Sequence, residues 1–341
     1  MWGIIGNERA VSAVARALAG SSPPHAFLFA GPGRVGKAAV AAKLAQALNC
    51  EGAEPPCGEC RPCQRVAGGL HADVQTVTVE SEDGGPQHKA ISVEQVREIE
   101  RAVALNPFEG KSRVVIIDPA DEMTPAAQNA FLKTLEEPPP HVTFVLIAER
   151  DDRLLETVRS RCRRIEFTLT PVAAIGQGLT ERSVEPERAQ LLARLAGGRP
   201  GWALGMAPTE TGALEKRGER LEAARKLATS SVRERMALAE KLSEDFKADR
   251  ERVLPLLAEW LGWWRDVMLV QRGAGHAIAN VDLEDAVRED AAACDAAAVS
   301  AFVRALTEAR RYLGENVQSR IVLDSLLLGA PGRTVVAGAR G

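Results

Sequence analysis

The chain has 341 residues, enough for two or three domains. It holds no run of 18 uninterrupted apolar residues, and Glu8 and Arg9 interrupt its start before any apolar stretch or A-x-A site; a membrane span and a secretory leader are therefore set aside in favour of a cytoplasmic protein. A formal net charge of −3 supplies no global attraction to nucleic acid, so contact with DNA needs a local basic surface.

In chain order, residues 1–23 predict a helix with the apolar stripe Val11, Val14, Ala15 and Leu18, closed by Gly20 and a Ser-Ser-Pro-Pro turn. The short apolar run 25–30 predicts a buried strand. Residues 31–38, Gly-Pro-Gly-Arg-Val-Gly-Lys-Ala, then fit a P-loop at every required position but the last. Gly31, Gly33, Gly36 and Lys37 form the phosphate cradle, and Ala38 stands where a Ser or Thr hydroxyl would hold Mg²⁺. The Ala- and Leu-rich stretch 38–48 predicts the helix whose N-terminal N–H groups face the phosphates.

Cys50, Cys57, Cys60 and Cys63 follow, spaced C-x6-C-x2-C-x2-C. In a reduced compartment four thiols within fourteen residues point to metal, not disulfides. Four thiolates close a tetrahedral zinc site and leave no position open for catalysis.

Residues 73–79 alternate and predict a second strand; 81–90 predict a polar loop. Ser92 with Gln95 is a capping box opening a helix with the face Val93, Val96, Ile99 and Val103. Residues 113–118 predict a buried strand ending in Asp118, the Walker B position that holds a nucleotide's metal. In P-loop ATPases of the AAA+ kind a glutamate comes next; here it is Pro119, which has neither an acid nor an N–H. Asp121 and Glu122 are expected to lie in the following loop, away from that point. Thr124-Pro125 opens a helix to about Glu136, 142–148 is a buried strand, 154–158 a short helix, and 164–167 a last strand. Strands alternating with helices imply a five-stranded parallel sheet covered on both faces.

Beyond the sheet, 169–207 predict a small helical lid and 208–329 a helical domain. Ser231 and Glu234 form a second capping box, and 316–328 fit a final helix. Trp260, Trp263 and Trp264 lie in a helical stretch with no lysine run; they read as core or subunit interface in preference to a stacking platform for bases. The tail 330–341 is expected to be disordered.

Ile4-Ile-Gly6, His25-Ala-Phe-Leu-Phe29, the four-cysteine insert, Leu132-Lys-Thr-Leu-Glu-Glu-Pro138 and Ser160-Arg-Cys162 together resemble the AAA+ clamp-loader subunits of bacterial DNA polymerase III, over nearly the whole chain. The resemblance implies an α/β P-loop AAA+ domain (1–168, zinc insert 50–63), a helical lid (169–207), a helical collar (208–329) and the tail. Within the family the departures favour the non-hydrolysing delta-prime branch over the alternative, an active gamma/tau-type ATPase. Besides Ala38 and Pro119, Glu149 and Arg150 stand where the active branch places a Thr that senses the γ-phosphate. Gly201 stands at the second sensor arginine's place, with Arg199 two residues away. Losing one such group costs on the order of 10²-fold in rate, so Gly31, Gly33, Gly36, Lys37 and Asp118 form a degenerate site, with weak ATP or ADP occupancy at most. The resemblance makes Arg161 a finger reaching a neighbour's ATP site; on spacing alone it is one of an arginine cluster with Arg159, Arg163 and Arg164. The implied partners are gamma/tau and delta subunits in a hetero-pentamer and, through the complex, the sliding clamp and primer-template DNA. A stand-alone zinc-dependent DNA binder is disfavoured by the acidic net charge and the closed Cys₄ set.

Overall fold

A computed structural model describes residues 2–20, 22–81, 89–208, 212–314 and 317–333. The chain divides into two units, Met1–Ala189 with Gly198–Gly205, and Gln190–Gly197 with Met206–Gly341.

The first unit begins with α1 (Glu8–Ala19), β1 (Ala26–Ala30), α2 (Lys37–Asn49), α3 (Arg61–Ala67) and β2 (Val74–Val77). A small antiparallel pair follows, β3 (Glu80–Ser81) with β4 (Lys89–Ala90). The polar loop expected over 81–90 thus ends in short strands, and its middle lies outside the described residues. Next come α4 (Val93–Val103), β5 (Arg113–Ile117), α5 (Pro125–Glu136), β6 (Val142–Ala148), α6 (Glu156–Arg159), β7 (Arg163–Glu166), α7 (Val172–Thr180), α8 (Pro186–Leu195) and α9 (Pro200–Met206). The boundary between the units falls within α8, after Ala189.

Five strands form one parallel sheet in the order β2-β5-β6-β1-β7. Every residue of β1 and β6 is buried, as continuous apolar strands of a doubly covered parallel sheet must be. Alternation sorts the side chains to two faces. Leu28, Val115, Phe144 and Leu146 pack with Val96, Ile99 and Phe131 of α4 and α5. Phe27, Phe29, Val114, Val145 and Ile147 pack with Val14, Val40 and Leu44 of α1 and α2. The capping box at α4 closes in both directions, Gln95 N–H to Ser92 Oγ at 3.3 Å and Ser92 N–H to Gln95 Oε1 at 3.0 Å. Thr124 Oγ1 caps α5 by accepting from Ala127 N at 3.1 Å.

The second unit carries α10 (Ala213–Lys226), α11 (Val232–Ala248), α12 (Arg250–Gln271), α13 (Glu284–Ala293), α14 (Ala296–Leu313) and α15 (Ser319–Leu328) around one apolar core. Trp260, Trp263 and Trp264 are fully buried in it. Trp264 meets Phe302 edge-on, with ring centroids 5.7 Å apart. The indoles are core side chains with no face left for a base. Residues 330–333, expected in a disordered tail, are built into this unit. Arg333 N donates to Ala228 O at 2.9 Å, and its guanidinium reaches the buried Asp290 at 3.1 Å. Residues 334–341 lie outside the described residues. Among the described residues no helix is long and apolar enough to cross a membrane.

Candidate functional site: a P-loop cleft, a cysteine cluster and an exposed arginine

The P-loop connects the buried end of β1 to α2, with Gly31 at φ 140° and Gly36 at φ 103°, values that a residue with a Cβ rarely adopts. Beside it lies a cleft of about 390 Å³ lined by Gly33, Arg34, Gly36, Lys37, Ala38, Asp118, Pro119, Glu149 and Gly201, among others. The cradle residues and the positions read as losses therefore do converge. Lys37 is buried, and its ammonium turns back onto the loop, donating to Gly31 O and, at 2.7 Å, to Pro32 O. Burial pulls its pKa down, against the opposing charges of Glu149, Asp118 and Asp121. Asp118 follows β5, and its N–H donates to Val77 O at 3.0 Å. Its carboxyl is pushed up by burial; Lys37 pulls it back, while Asp121 and Glu149 push it further.

Asp121 corrects the reading of the loop after Walker B. A 3₁₀ turn over 120–122 folds this buried residue back, so that its carboxylate accepts from Glu149 N at 3.3 Å and Arg150 N at 2.9 Å. It anchors the strand end that carries Glu149. The Glu149 carboxylate lies directly over Gly33, where a Cβ would run into its Oε1. The lining thus sets Arg34 and Lys37 against Asp118 and Glu149, with Asp121 close to Lys37, so the cleft has no excess of positive charge for a polyphosphate. Gly201 donates its N–H to Arg34 O at 2.9 Å, and a Cβ at 201 would sit 2.9 Å from that oxygen. A side chain at 201 would therefore start against the backbone of the P-loop.

The four cysteine sulfurs lie within 4.8 Å of one another. Cys50 ends α2, Cys60 is the residue before α3, and Cys63 lies within α3. Cys50 Sγ accepts from Gly52 N at 3.3 Å and Cys57 N at 3.4 Å, and Cys57 Sγ accepts from Cys60 N at 3.3 Å. Such donors favour thiolates. Backbone N–H groups, that of Cys60 foremost, lower the Cys57 thiol to about 6, and Cys60 is lowered by the same kind of bond, whereas burial raises Cys63 to about 12. A tetrahedral ion with metal–sulfur bonds of about 2.3 Å needs sulfurs about 3.8 Å apart; Cys50 and Cys60 Sγ stand at 3.9 Å. The set fits a metal such as zinc.

The cluster is braced from the sheet. Lys111 Nζ donates to Cys50 O at 2.5 Å, Asn49 Oδ1 accepts from Ser112 N at 3.0 Å, and Gln46 Nε2 donates to Cys63 O at 2.7 Å. The loop supplying Lys111 and Ser112 is held by the buried Asp73, which accepts from the N–H groups of Phe108, Glu109 and Gly110 at 2.7–2.8 Å and from Arg113 at 3.1 Å. Burial works to raise the Asp73 carboxyl, but those four donors together hold it below the ordinary carboxylate range.

Arg161 follows α6, outside the lining of the chain's own cleft. Its guanidinium donates to Thr157 O at 2.9 Å and to Glu136 Oε1 at 2.5 Å and stays about one third exposed. The neighbouring Arg164 is turned away onto Asp151 at 2.7 Å. Beneath, Cys162 packs on the core, where burial raises its thiol to about 12.

A strand–glycine loop–helix, one strand removed from an acid-tipped strand in a five-stranded parallel sheet, with a Cys₄ cluster and a helical C-terminal part, defines an AAA+-like P-loop protein. The family model described as DNA polymerase III, delta subunit, matches residues 6–170. DNA polymerase III subunit delta' of Pseudomonas aeruginosa is 34% identical over 245 residues, 70% of either chain. Subunit delta' of Bacillus subtilis is 29% identical over 315 residues, 89% of this chain and 90% of that one. Subunit tau of Escherichia coli is 30% identical over 337 residues, 96% of this chain but 50% of tau, so the chain spans half of that relative. The chain belongs to the clamp-loader family of DNA polymerase III subunits that contains these delta' and tau proteins.

Proposed function

We propose that the chain is a non-hydrolysing, delta-prime-like subunit of the bacterial replicative clamp loader, which helps load the sliding clamp on primed DNA and donates Arg161 to a neighbouring ATPase subunit. The observation that carries this reading is the cleft. It keeps the fold of a nucleotide site, yet Ala38 offers no metal-binding hydroxyl, Pro119 no base, and Gly201 no charge clamp, while Glu149 adds a carboxylate. Positioning a water and neutralising the transferring phosphoryl group are the two tasks a P-loop NTPase performs; the first has no residue here, and the second is left to Lys37 without a metal-binding hydroxyl or a second clamp. ATP or ADP binds weakly at most, through Lys37 and the loop amides. Zinc is the ion for Cys50, Cys57, Cys60 and Cys63. The partners are gamma/tau and delta subunits in a hetero-pentamer and, through it, clamp and DNA.

Arg161 supports the second half of the reading. It is part-exposed at the Ser-Arg-Cys motif, outside the lining of the chain's own cleft, and its planar, permanently charged fork suits a phosphoryl oxygen of another subunit. Two measurements test the proposal. The purified chain with Mg²⁺ is expected to show no ATP turnover; rapid turnover would make it a gamma/tau-type ATPase instead. In the reconstituted complex, Arg161→Ala is expected to lower ATP hydrolysis and clamp loading with the fold intact, by up to the roughly 10³-fold typical of trans fingers at the site it serves. An unchanged rate refutes the finger.

A further inference from the structure

Glu136 is the last residue of α5 and belongs to the Leu-Lys-Thr-Leu-Glu-Glu-Pro run, 25 residues before Arg161 in sequence. A carboxylate in the last turn of a helix faces the negative end of the macrodipole and is disfavoured there. Its partner is about one third exposed and it is itself half-exposed, and a pair of that kind contributes little to stability. Fold stability therefore gives no reason for this residue. The contact does restrict the guanidinium. Oε1 of Glu136 takes one terminal nitrogen at 2.5 Å and the carbonyl of Thr157 takes the other at 2.9 Å, from two different elements. A long side chain with four rotatable torsions is thereby held in one direction with N–H groups to spare.

We infer that Glu136 is a positioning residue for the Arg161 finger, holding its guanidinium in the orientation presented to the neighbouring subunit's phosphoryl group. The inference rests on the finger reading above. Arg161 makes the contact with the phosphoryl oxygens; Glu136 acts only through Arg161, by removing the torsional freedom that would otherwise be lost when the transition state forms.

The test is a double-mutant cycle in the reconstituted complex, with steady-state ATP turnover as the readout. The Arg161-dependent part of the rate is the difference between wild type and Arg161→Ala. Glu136→Ala is expected to cut that part on the order of tenfold in kcat with KM unchanged. Glu136→Gln, which keeps an accepting oxygen in the same place, is expected to restore most of it. In the Arg161→Ala background Glu136→Ala is expected to change nothing, and the melting temperature of the isolated subunit to stay the same in all variants. If Glu136→Ala costs as much without Arg161 as with it, or leaves or raises the wild-type rate, the positioning role is overturned while the finger stands. If Arg161→Ala has no effect, the finger reading fails first and the inference with it.

Discussion

Under the proposed function Ala38 lacks one oxygen and the cleft around it lacks further groups, so no single substitution is expected to restore hydrolysis. Ala38→Ser restores a ligand for Mg²⁺ and leaves Pro119 and Gly201 without base or clamp; turnover of the purified variant is expected to equal that of the wild-type chain, and a measurable gain would show that the hydroxyl alone was missing. Glu149 is a separate obstacle. It lies over Gly33, pushes Asp118 further up and belongs to the carboxylates facing Lys37. Glu149→Thr removes one like charge and is expected to tighten ATP binding on the order of tenfold, read by equilibrium fluorescence with a labelled nucleotide, without creating hydrolysis. None of this geometry was legible beyond the identities of the residues. The departures at 38, 119, 149 and 201 were visible as substitutions at motif positions. That Asp121 folds back to hold 149–150 was not, because its partners lie 28 and 29 residues away. An acid three residues after Asp118, on a turn short enough to return, was the signal available.

The loop 108–112 shows how an element is held by one buried charge. Asp73 satisfies three consecutive N–H groups and Arg113, and through that loop Lys111 and Ser112 reach the start of the cysteine insert at Asn49 and Cys50. Asp73→Asn keeps the size, removes the charge and turns an accepting oxygen into a donor facing donors. It is expected to cost about 2–4 kcal/mol, measured as a lower denaturation midpoint. The carboxyl is held below its ordinary range when folded. Its contribution is therefore complete above the ordinary carboxylate pKa and is lost as the pH falls through the depressed folded value. The gap between wild type and variant is expected to be full at neutral pH and to close in strong acid; a gap that does not close would assign the cost to shape alone. For the insert itself, Cys60→Ser is expected to lose bound zinc, assayed by metal content, and to lower the melting temperature, with ATP turnover of the reconstituted complex retained. Retained metal with unchanged melting would remove the site. The elements were legible where signals are local: both capping boxes, the Pro at the start of α5, the apolar runs of β1 and β6, and the C-x2-C spacing each act within four or five residues.

At the scale of the whole molecule, the family relation spans the chain, and the two units play different parts. The P-loop unit carries the cleft, the cysteine cluster and Arg161. The helical unit buries Trp260, Trp263 and Trp264, with the Trp263 Nε1–H donating to Asp290 at 3.1 Å and Arg225 and Arg333 ion-paired to the same carboxylate. By itself the sequence determined the strand and helix order, the parallel five-stranded sheet and the grouping of the four cysteines. Each of these follows from periodicity, capping or spacing along the chain, which neighbouring residues specify. Only the tertiary structure decided that Lys37 turns onto its own loop, that Asp121 and Glu149 crowd the cleft, that the tryptophans are core, that 330–333 join the helical unit and that Glu136 holds Arg161. Those contacts join residues that are distant in the chain or depend on which way a side chain turns, and they are selected by packing and charge once the sheet and helices have brought their ends together.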